Sequence, residues 1–147
     1  MQQHRQEYNS DNMESKYHSK KVKTKAGKFD SKLEYYRYLM LAKAEQQGLI
    51  SDLRRQVEYE LIPRQTEQEI TEETVQLKTR VKTKVKVVTK VVERSCSYKA
   101  DFVYVKDGKE IIEDTKGMHT PDYIIKRKLM RYQGHPIREI MKSTDSI

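Results

Sequence analysis

The chain has 147 residues, of which 35% are hydrophobic and 35% are charged, with a formal net charge of +8. This length allows one domain with a modest core, and the positive charge favours a polyanionic partner such as nucleic acid. A lysine-rich surface that only aids solubility remains an alternative. One cysteine, Cys96, excludes an intrachain disulfide, and no apolar run approaches the length of a membrane span. Without a secretory signal in "MQQHRQEYNS", we expect a cytoplasmic protein.

Residues 1–27 are polar and basic, without hydrophobic periodicity. We predict that they form a disordered arm, and that residues 28–147 form the folded domain. Six lysines lie close together in the arm and at its end: Lys16, Lys20, Lys21, Lys23, Lys25 and Lys28. They suit either a solvated extension or contact with phosphates.

A helix is predicted from about Ser31 to Gln47. Asp30 or Ser31 can cap its first turn, and Gly48 can end it in a left-handed conformation. An apolar face is expected from residues that recur at helical spacing, namely Leu33, Tyr36, Met40, Leu41 and Ala44.

A strand is predicted at Val57 to Pro63, followed by a polar segment at 64–74 that is either a loop or the near arm of an extension. From Val75 the residues alternate between β-branched and basic. This period of two predicts an inserted β-ribbon within 64–93, with one basic face that carries Lys78, Arg80, Lys82, Lys84 and Lys86.

Two readings of this ribbon stay open. Its basic face suits DNA phosphates, but lysines also protect exposed sheet edges from aggregation. The alternation slips at Val87 and Val88, which predicts a bulge or entry into a buried sheet. The valine-rich side over 75–92 offers a surface for pairing with a second copy, so a homodimer is a possible partner state.

The sequence of the C-terminal third predicts a hairpin, then a helix, then a short strand. Strands at Ser97 to Val105 and Glu110 to Lys116 flank a turn signal, "KDG". Thr120 and Pro121 then suit the start of a helix that Gly134 can end, and "PIREIM" suits a final strand.

Charged residues gather at the end of this hairpin. A turn at Lys106 to Gly108 makes residues that sum to about 214–215 face each other, so Asp101 lies opposite the region of Glu113 and Asp114. Residues two apart in a strand share a face, so Asp114 and Lys116 project together and Glu113 points away. Two close carboxylates suit a hard divalent cation such as Mg²⁺ or Mn²⁺. On the hairpin alone, a structural ion pair is the commoner explanation.

Asp101 followed by Asp114-Thr115-Lys116 resembles the D…(D/E)xK signature of the PD-(D/E)XK nuclease superfamily. The phrases "FDSKLEYYRYL", "GLISDLRRQVEYELIP", "YKADFVY" and "EDTKG" resemble small phage and prophage endonucleases, which are distantly similar to Holliday-junction resolvases and phage endonuclease I. The resemblance covers most of residues 16–141, except the ribbon. Ala100 replaces the proline that often precedes the first aspartate.

This resemblance implies an α/β fold with a restriction-endonuclease-like core, in which helices flank a mixed central sheet in the order α-β-β-β-α-β. It implies that Asp101, Asp114 and the carbonyl of Thr115 bind Mg²⁺, for which Mn²⁺ can substitute, and that Lys116 acts on the attacking water. Glu34 would complete the metal site directly or through water. Locally, "SKLE" is also a capping box in which Glu34 would bond back to the Ser31 amide.

The function expected is therefore a Mg²⁺-dependent DNA endonuclease of phage type, selective for branched or junction DNA, and acting in the host cytoplasm if phage-encoded. A DNA-binding protein that does not cut, or an exonuclease of the superfamily, is the alternative. Further phosphate contacts are expected from the second helix, through Lys126, Arg127, Lys128 and Arg131.

Overall fold

A computed structural model describes residues 20–147 as a mixed α/β fold. Its elements are β1 (Val22–Thr24), β2 (Gly27–Phe29), α1 (Lys32–Gln46), β3 (Ser51–Ile62), β4 (Gln65–Leu77), β5 (Arg80–Glu93), β6 (Cys96–Lys106), β7 (Lys109–Thr115), α2 (Pro121–Tyr132) and β8 (Ile137–Ile140). Apart from the two N-terminal strands and the β4–β5 pair, this is the predicted α-β-β-β-α-β order. Neither of the two helices in the described range is long and apolar enough to cross a bilayer.

The central sheet has four strands in the order β3-β6-β7-β8. The first three are antiparallel, and β8 runs parallel to β7. Asp107 and Gly108 both have positive φ in the tight turn between β6 and β7, as an Asp-Gly hairpin turn requires. Phe102 pairs with Glu113, so the predicted register is confirmed, and Asp101 and Asp114 are the next residues beyond that pair.

Helix α1 begins as predicted, but its buried face is different. The Ser31 side chain accepts a hydrogen bond from the Glu34 amide, and Gly48 has a φ of 72° after the last turn. The buried residues are Glu34, Arg37, Leu41 and Ala44, whereas Tyr36 and Met40 are exposed. The predicted apolar face is thus right for Leu41 and Ala44 and wrong for Tyr36 and Met40, because the other two buried positions carry charged side chains that find partners in the sheet.

The two helices cover opposite faces of the central sheet. Leu41 and Ala44 of α1 pack with Phe102 and Tyr104 in one core cluster. Tyr123 and Met130 of α2 pack in a second cluster on strands β3, β6 and β7. The adjacent residues Ile111 and Ile112 of β7 point into the two different clusters, as pleating requires.

The segment between β3 and β6 is a two-stranded ribbon, and its course corrects the sequence analysis. Residues 65–77 form a strand, which confirms the near arm of an extension over the loop, and the chain reverses at Lys78 and Thr79 inside the predicted basic strand. Lys78 therefore lies in the turn. The pairing runs without interruption through Val87 and Val88, so the bulge predicted there is absent, and every residue of β5 is exposed rather than buried in a sheet.

Pairing gives the ribbon two unlike faces. The side that we name the charged face carries the predicted basic residues Arg80, Lys82, Lys84 and Lys86, together with Lys90, but β4 adds Glu67, Glu69 and Glu73 to it. The opposite side, named the valine face, carries Val81, Val85, Val87, Val91 and Ile70. Between Thr66 and Val91, Glu72 is the one charged residue on the valine face.

A short N-terminal hairpin packs on the body through Phe29, which contacts the Tyr35 and Tyr38 rings of α1, and through Arg55 of β3. Strands β1 and β2 pair with each other, so the predicted boundary of the arm at residue 27 falls inside this hairpin. The Arg55 guanidinium donates to the carbonyls of Ala26 and Lys28 and lies 3.7 Å from the centroid of the Phe29 ring. Residues 1–19 of the predicted arm lie outside the described residues.

A buried ion pair joins α1 to the central strand β7. Arg37 donates to both carboxylate oxygens of Glu113, from Nε at 2.9 Å and from Nη2 at 2.7 Å, and both side chains are fully buried. The Tyr104 hydroxyl also donates to Glu113 at 2.7 Å, and Arg37 binds the carbonyls of Ser143 and Asp145. This pair fixes the helix that carries Glu34 against the strand that carries Asp114.

We predict that Arg37→Met destabilises the fold by about 3–5 kcal/mol, because the buried Glu113 carboxylate loses the cation that binds both of its oxygens. The half-exposed Arg138, whose Nη1 atom lies 3.5 Å from Glu113 Oε1, replaces only part of that interaction. The double variant Arg37→Met/Glu113→Gln should recover part of that loss, since no unpaired charge remains. The free energy of unfolding from urea titration measures both effects. A double variant as unstable as the sum of the two single variants would contradict this account of the pair.

Candidate active site

Two aspartates and a lysine meet where β6 and β7 lie side by side. The Asp101 Oδ2 atom accepts hydrogen bonds from the Thr115 amide at 2.8 Å and from the Thr115 hydroxyl at 2.7 Å. The Lys116 Nζ atom lies 2.8 Å from Asp114 Oδ2. The expected pairing of Asp114 with Lys116 is therefore present, and Glu113 points to the opposite face, where it binds Arg37.

Asp114 is held in an environment that disfavours its charge. The pKa of this carboxyl is raised to about 7, first by burial and then by the neighbouring Asp101 carboxylate, while Lys116 acts in the other direction. The two carboxylates are thus close enough to compete for a single proton or a single cation.

Glu34 reaches the same region from α1. Its Oε2 atom accepts a hydrogen bond from the Asp30 amide at 2.6 Å, and its Oε1 atom accepts one from the Gln56 side-chain amide at 3.1 Å. The backward bond of the predicted capping box thus goes to Asp30 rather than Ser31. Burial raises the pKa of Glu34, and the Asp101 charge adds to that shift. Glu34 therefore combines a role at the helix start with a position beside Asp101.

Lys116 is held from two sides. Besides its contact with Asp114, its Nζ atom lies 4.1 Å from the centroid of the Tyr123 ring on α2. The Tyr123 hydroxyl donates to Glu139 at 3.0 Å, and Glu139 also binds Arg127 at 2.6 Å and His119 at 2.9 Å. An aromatic face stabilises an ammonium group without neutralising it. Lys116 is thereby fixed while it stays partly open to solvent.

An open cleft of about 430 Å³ lies beside the two aspartates and Lys116. Its lining includes Glu34, Asp101, Thr115 and Lys116, and Gly117 and Met118 form part of its rim. A second groove of about 440 Å³ lies along α2 and is lined by Arg127, Lys128, Arg131, Ile137 and Glu139. The predicted basic residues of α2 therefore do not line the acidic cleft, and Arg127 is engaged by Glu139.

The donors in the acidic cleft fit a hard divalent cation by type. Mg²⁺ is usually held by one or two carboxylates, with water and substrate phosphate completing its shell. Asp101 and Asp114 supply two carboxylates. Within residues 20–147, no three His, Cys, Asp or Glu side chains are grouped as metal ligands, and Glu34 is turned to Asp30 and Gln56. Assignments of Glu34 and of the Thr115 carbonyl as ligands remain predictions.

Sequence reasoning gave no role to three residues that organise this region. Gln56 contacts Glu34, Arg37 anchors the helix that bears it, and Tyr123 supports Lys116. Arg37 could have been found from its spacing of three residues from Glu34, which places both on one helix face. Gln56 and Tyr123 carry no local signal, because their roles depend on which strands and helices become neighbours.

Comparison with known proteins gives one match. The family described as "Protein of unknown function (DUF1064)" matches residues 14–145. No curated protein and no solved structure matches the chain.

We predict that Asp114→Asn stabilises the metal-free protein at neutral pH. The folded-state pKa of Asp114 is raised from 3.8 to about 7, so the wild-type protein loses stability as the pH rises between these values, whereas asparagine does not titrate. The variant should gain about 2–4 kcal/mol above pH 7 and little at pH 4. Unfolding in EDTA across this pH range measures the gain.

Asp107→Asn is the matched control, since Asp107 is an exposed aspartate in the hairpin turn. This control should show no gain that grows with pH. An Asp114→Asn gain of equal size at pH 4 and pH 8 would rule out the raised pKa as its cause.

Proposed function

The chain belongs to the DUF1064 family, and we propose that it is a metal-dependent deoxyribonuclease, an endonuclease that hydrolyses phosphodiester bonds. One observation carries the proposal: Asp101, Asp114 and Lys116 converge beside an open cleft, with Asp114 buried and its pKa raised. Buried carboxylates with raised pKa values next to a cleft are typical of catalytic sites. A purely structural ion pair would not need a second, repelling carboxylate.

The chemistry follows from these side chains. Asp101 and Asp114 would hold Mg²⁺ or Mn²⁺, which polarises a phosphodiester and lowers the pKa of bound water. The Lys116 ammonium, held by Asp114 and Tyr123, would orient the attacking water and offset negative charge on the phosphoryl oxygens. The Thr115 amide and hydroxyl keep Asp101 Oδ2 in place. Asp101 Oδ1 has one long contact, with Gln56 Nε2 at 3.5 Å, and is the oxygen that would bind a cation.

A restriction-endonuclease-like core is part of the proposal. The order of core elements and the mixed four-stranded sheet between two helices support it. The resemblance to phage endonucleases favours DNA with branches or junctions as the substrate and the host cytoplasm as the place of action.

DNA would contact the protein through the ribbon and α2. The charged face of the ribbon presents Arg80, Lys82, Lys84 and Lys86 along one strand, although acids of β4 offset part of that charge. In direct pairs, Lys84 faces Glu73 while Lys82 faces Val75. On α2, Lys126 and Lys128 extend the basic surface beside Arg127.

The valine face of the ribbon would bind a second copy of the chain. An isolated two-stranded hairpin is marginally stable in water, so an added layer on its apolar side would stabilise it. The chain carries a net charge of +8, and two copies repel each other across most surfaces. Between Thr66 and Val91 the valine face bears a single charge, Glu72, which favours a symmetric contact there.

The catalytic proposal is tested by incubating the protein with Mg²⁺ and linear, circular, single-stranded and four-way-junction DNA. Cleavage should require Mg²⁺ or Mn²⁺. Asp114→Asn and Lys116→Met should each lower the rate about a hundredfold or more, because each removes a group that stabilises charge at the reacting phosphate.

Lys99→Met is the matched control, since Lys99 is an exposed lysine on β6 that should leave the rate unchanged. Tight DNA binding without any cutting would replace the proposal with a DNA-binding role. Degradation of linear but not circular DNA would indicate an exonuclease.

Two double variants, each of which introduces glutamine, test the roles of the two ribbon faces separately. Lys82→Gln/Lys84→Gln should reduce the salt dependence of DNA binding, with a fall in slope of about 0.9 for each phosphate that the variant no longer neutralises. Val85→Gln/Val87→Gln should leave that slope unchanged and convert a dimer to a monomer in light-scattering measurements. A wild-type protein that is monomeric at high concentration would contradict the proposed contact of the valine face.

A further inference from the structure

Gln56 occupies an unusual backbone position on β3, the edge strand that pairs with β6. It has a φ of 54° within β3, a left-handed conformation that a non-glycine residue rarely adopts in a strand. The neighbouring pairs are Arg55 with Phe102 and Val57 with Ala100, so Gln56 lies opposite Asp101. Strained backbone in a rigid sheet persists only where the surrounding structure holds it.

Strand β6 is irregular at the same level. Tyr98 and Ala100 point into the core under α2, but Phe102 and Tyr104 point into the core under α1. Residues two apart in a regular strand share one face, so the alternation changes phase at Asp101. The two irregularities face each other and bring the Gln56 and Asp101 side chains to the same side as Glu34.

The Gln56 amide contacts both acids. Its Nε2 atom lies 3.1 Å from Glu34 Oε1 and 3.5 Å from Asp101 Oδ1. An amide has two N–H groups, so it can donate one to each carboxylate. Arg55 adds a cation 3.8 Å from Glu34 Oε1. Gln56 thus provides the direct hydrogen-bonded link between α1 and Asp101.

We propose that Gln56 is a positioning residue for the metal site, which orients Glu34 and Asp101 toward the cleft so that a divalent cation finds them in place. The inference rests on the proposed nuclease function and adds to it a residue outside the D…DxK signature. Gln56 acts through the two acids, and its backbone strain is offset by the contacts of its side chain.

Removal of the amide is therefore expected to weaken metal binding. Gln56→Met keeps the length of the side chain without its donors, and Gln56→Gly also relieves the positive φ. Both variants should bind Mn²⁺ about 10–100-fold more weakly in calorimetric titrations, the usual effect of removing a hydrogen-bond partner behind a metal ligand. Gln56→Gly keeps the test informative if the methionine variant folds poorly.

Gln133→Met is the matched control. Gln133 donates one hydrogen bond to the Leu61 carbonyl at 2.9 Å, so this variant removes a comparable hydrogen bond away from the cleft. It should bind Mn²⁺ as the wild type does. DNA cleavage by Gln56→Met should recover at saturating Mn²⁺, whereas cleavage by Asp114→Asn should not.

The outcomes separate the two proposals. If both Gln56 variants bind Mn²⁺ with the affinity of the wild type, the role of Gln56 is overturned and the nuclease proposal stands. Equal reductions in affinity in Gln56→Met and Gln133→Met also overturn it, since the effect would then be general. A wild-type protein that binds no Mn²⁺ and cuts no DNA overturns both.

Discussion

The buried pair of Arg37 and Glu113 is the contact on which the site depends. It joins α1 to the central strand through two hydrogen bonds between fully buried side chains. Glu34 lies three residues before Arg37 and Asp114 directly follows Glu113, so each partner of the pair has a site acid beside it. A buried ion pair contributes little net stability, but removal of one partner is costly. The pair therefore fixes geometry more than it adds stability.

Each of the three acids has a hydrogen-bond donor or a cation of the protein as its partner. Thr115 binds Asp101, Lys116 pairs with Asp114, and Gln56 links Glu34 to Asp101. Despite these contacts the pKa of Asp114 stays raised to about 7, first through burial and then through the charge of Asp101. A site that keeps like charges close in the absence of a cation gains stability when a cation binds, because binding relieves their repulsion. That gain is the physical basis of the metal proposal.

The ribbon shows how pairing changes the meaning of a sequence pattern. The alternation of basic and β-branched residues predicted one basic face, and Arg80, Lys82, Lys84 and Lys86 do share a face. The acids on the same face come from β4, a segment for which the sequence left a loop and the near arm of an extension as alternatives. Because the reversal at Lys78 and Thr79 lacks glycine, no turn signal showed that these segments pair. The predicted basic face is therefore a face of mixed charge.

Local chemistry in the sequence was sufficient for α1, for the turn at Asp107 and Gly108, and for the register that brings Asp101 and Asp114 together. These features depend on neighbours within a few residues or across one tight turn. Tertiary structure decided which face of α1 is buried, how β4 pairs with β5, and that Gln56 reaches Glu34. These depend on contacts between distant segments, where a charged side chain is stable in the interior only because its partner arrives from another element.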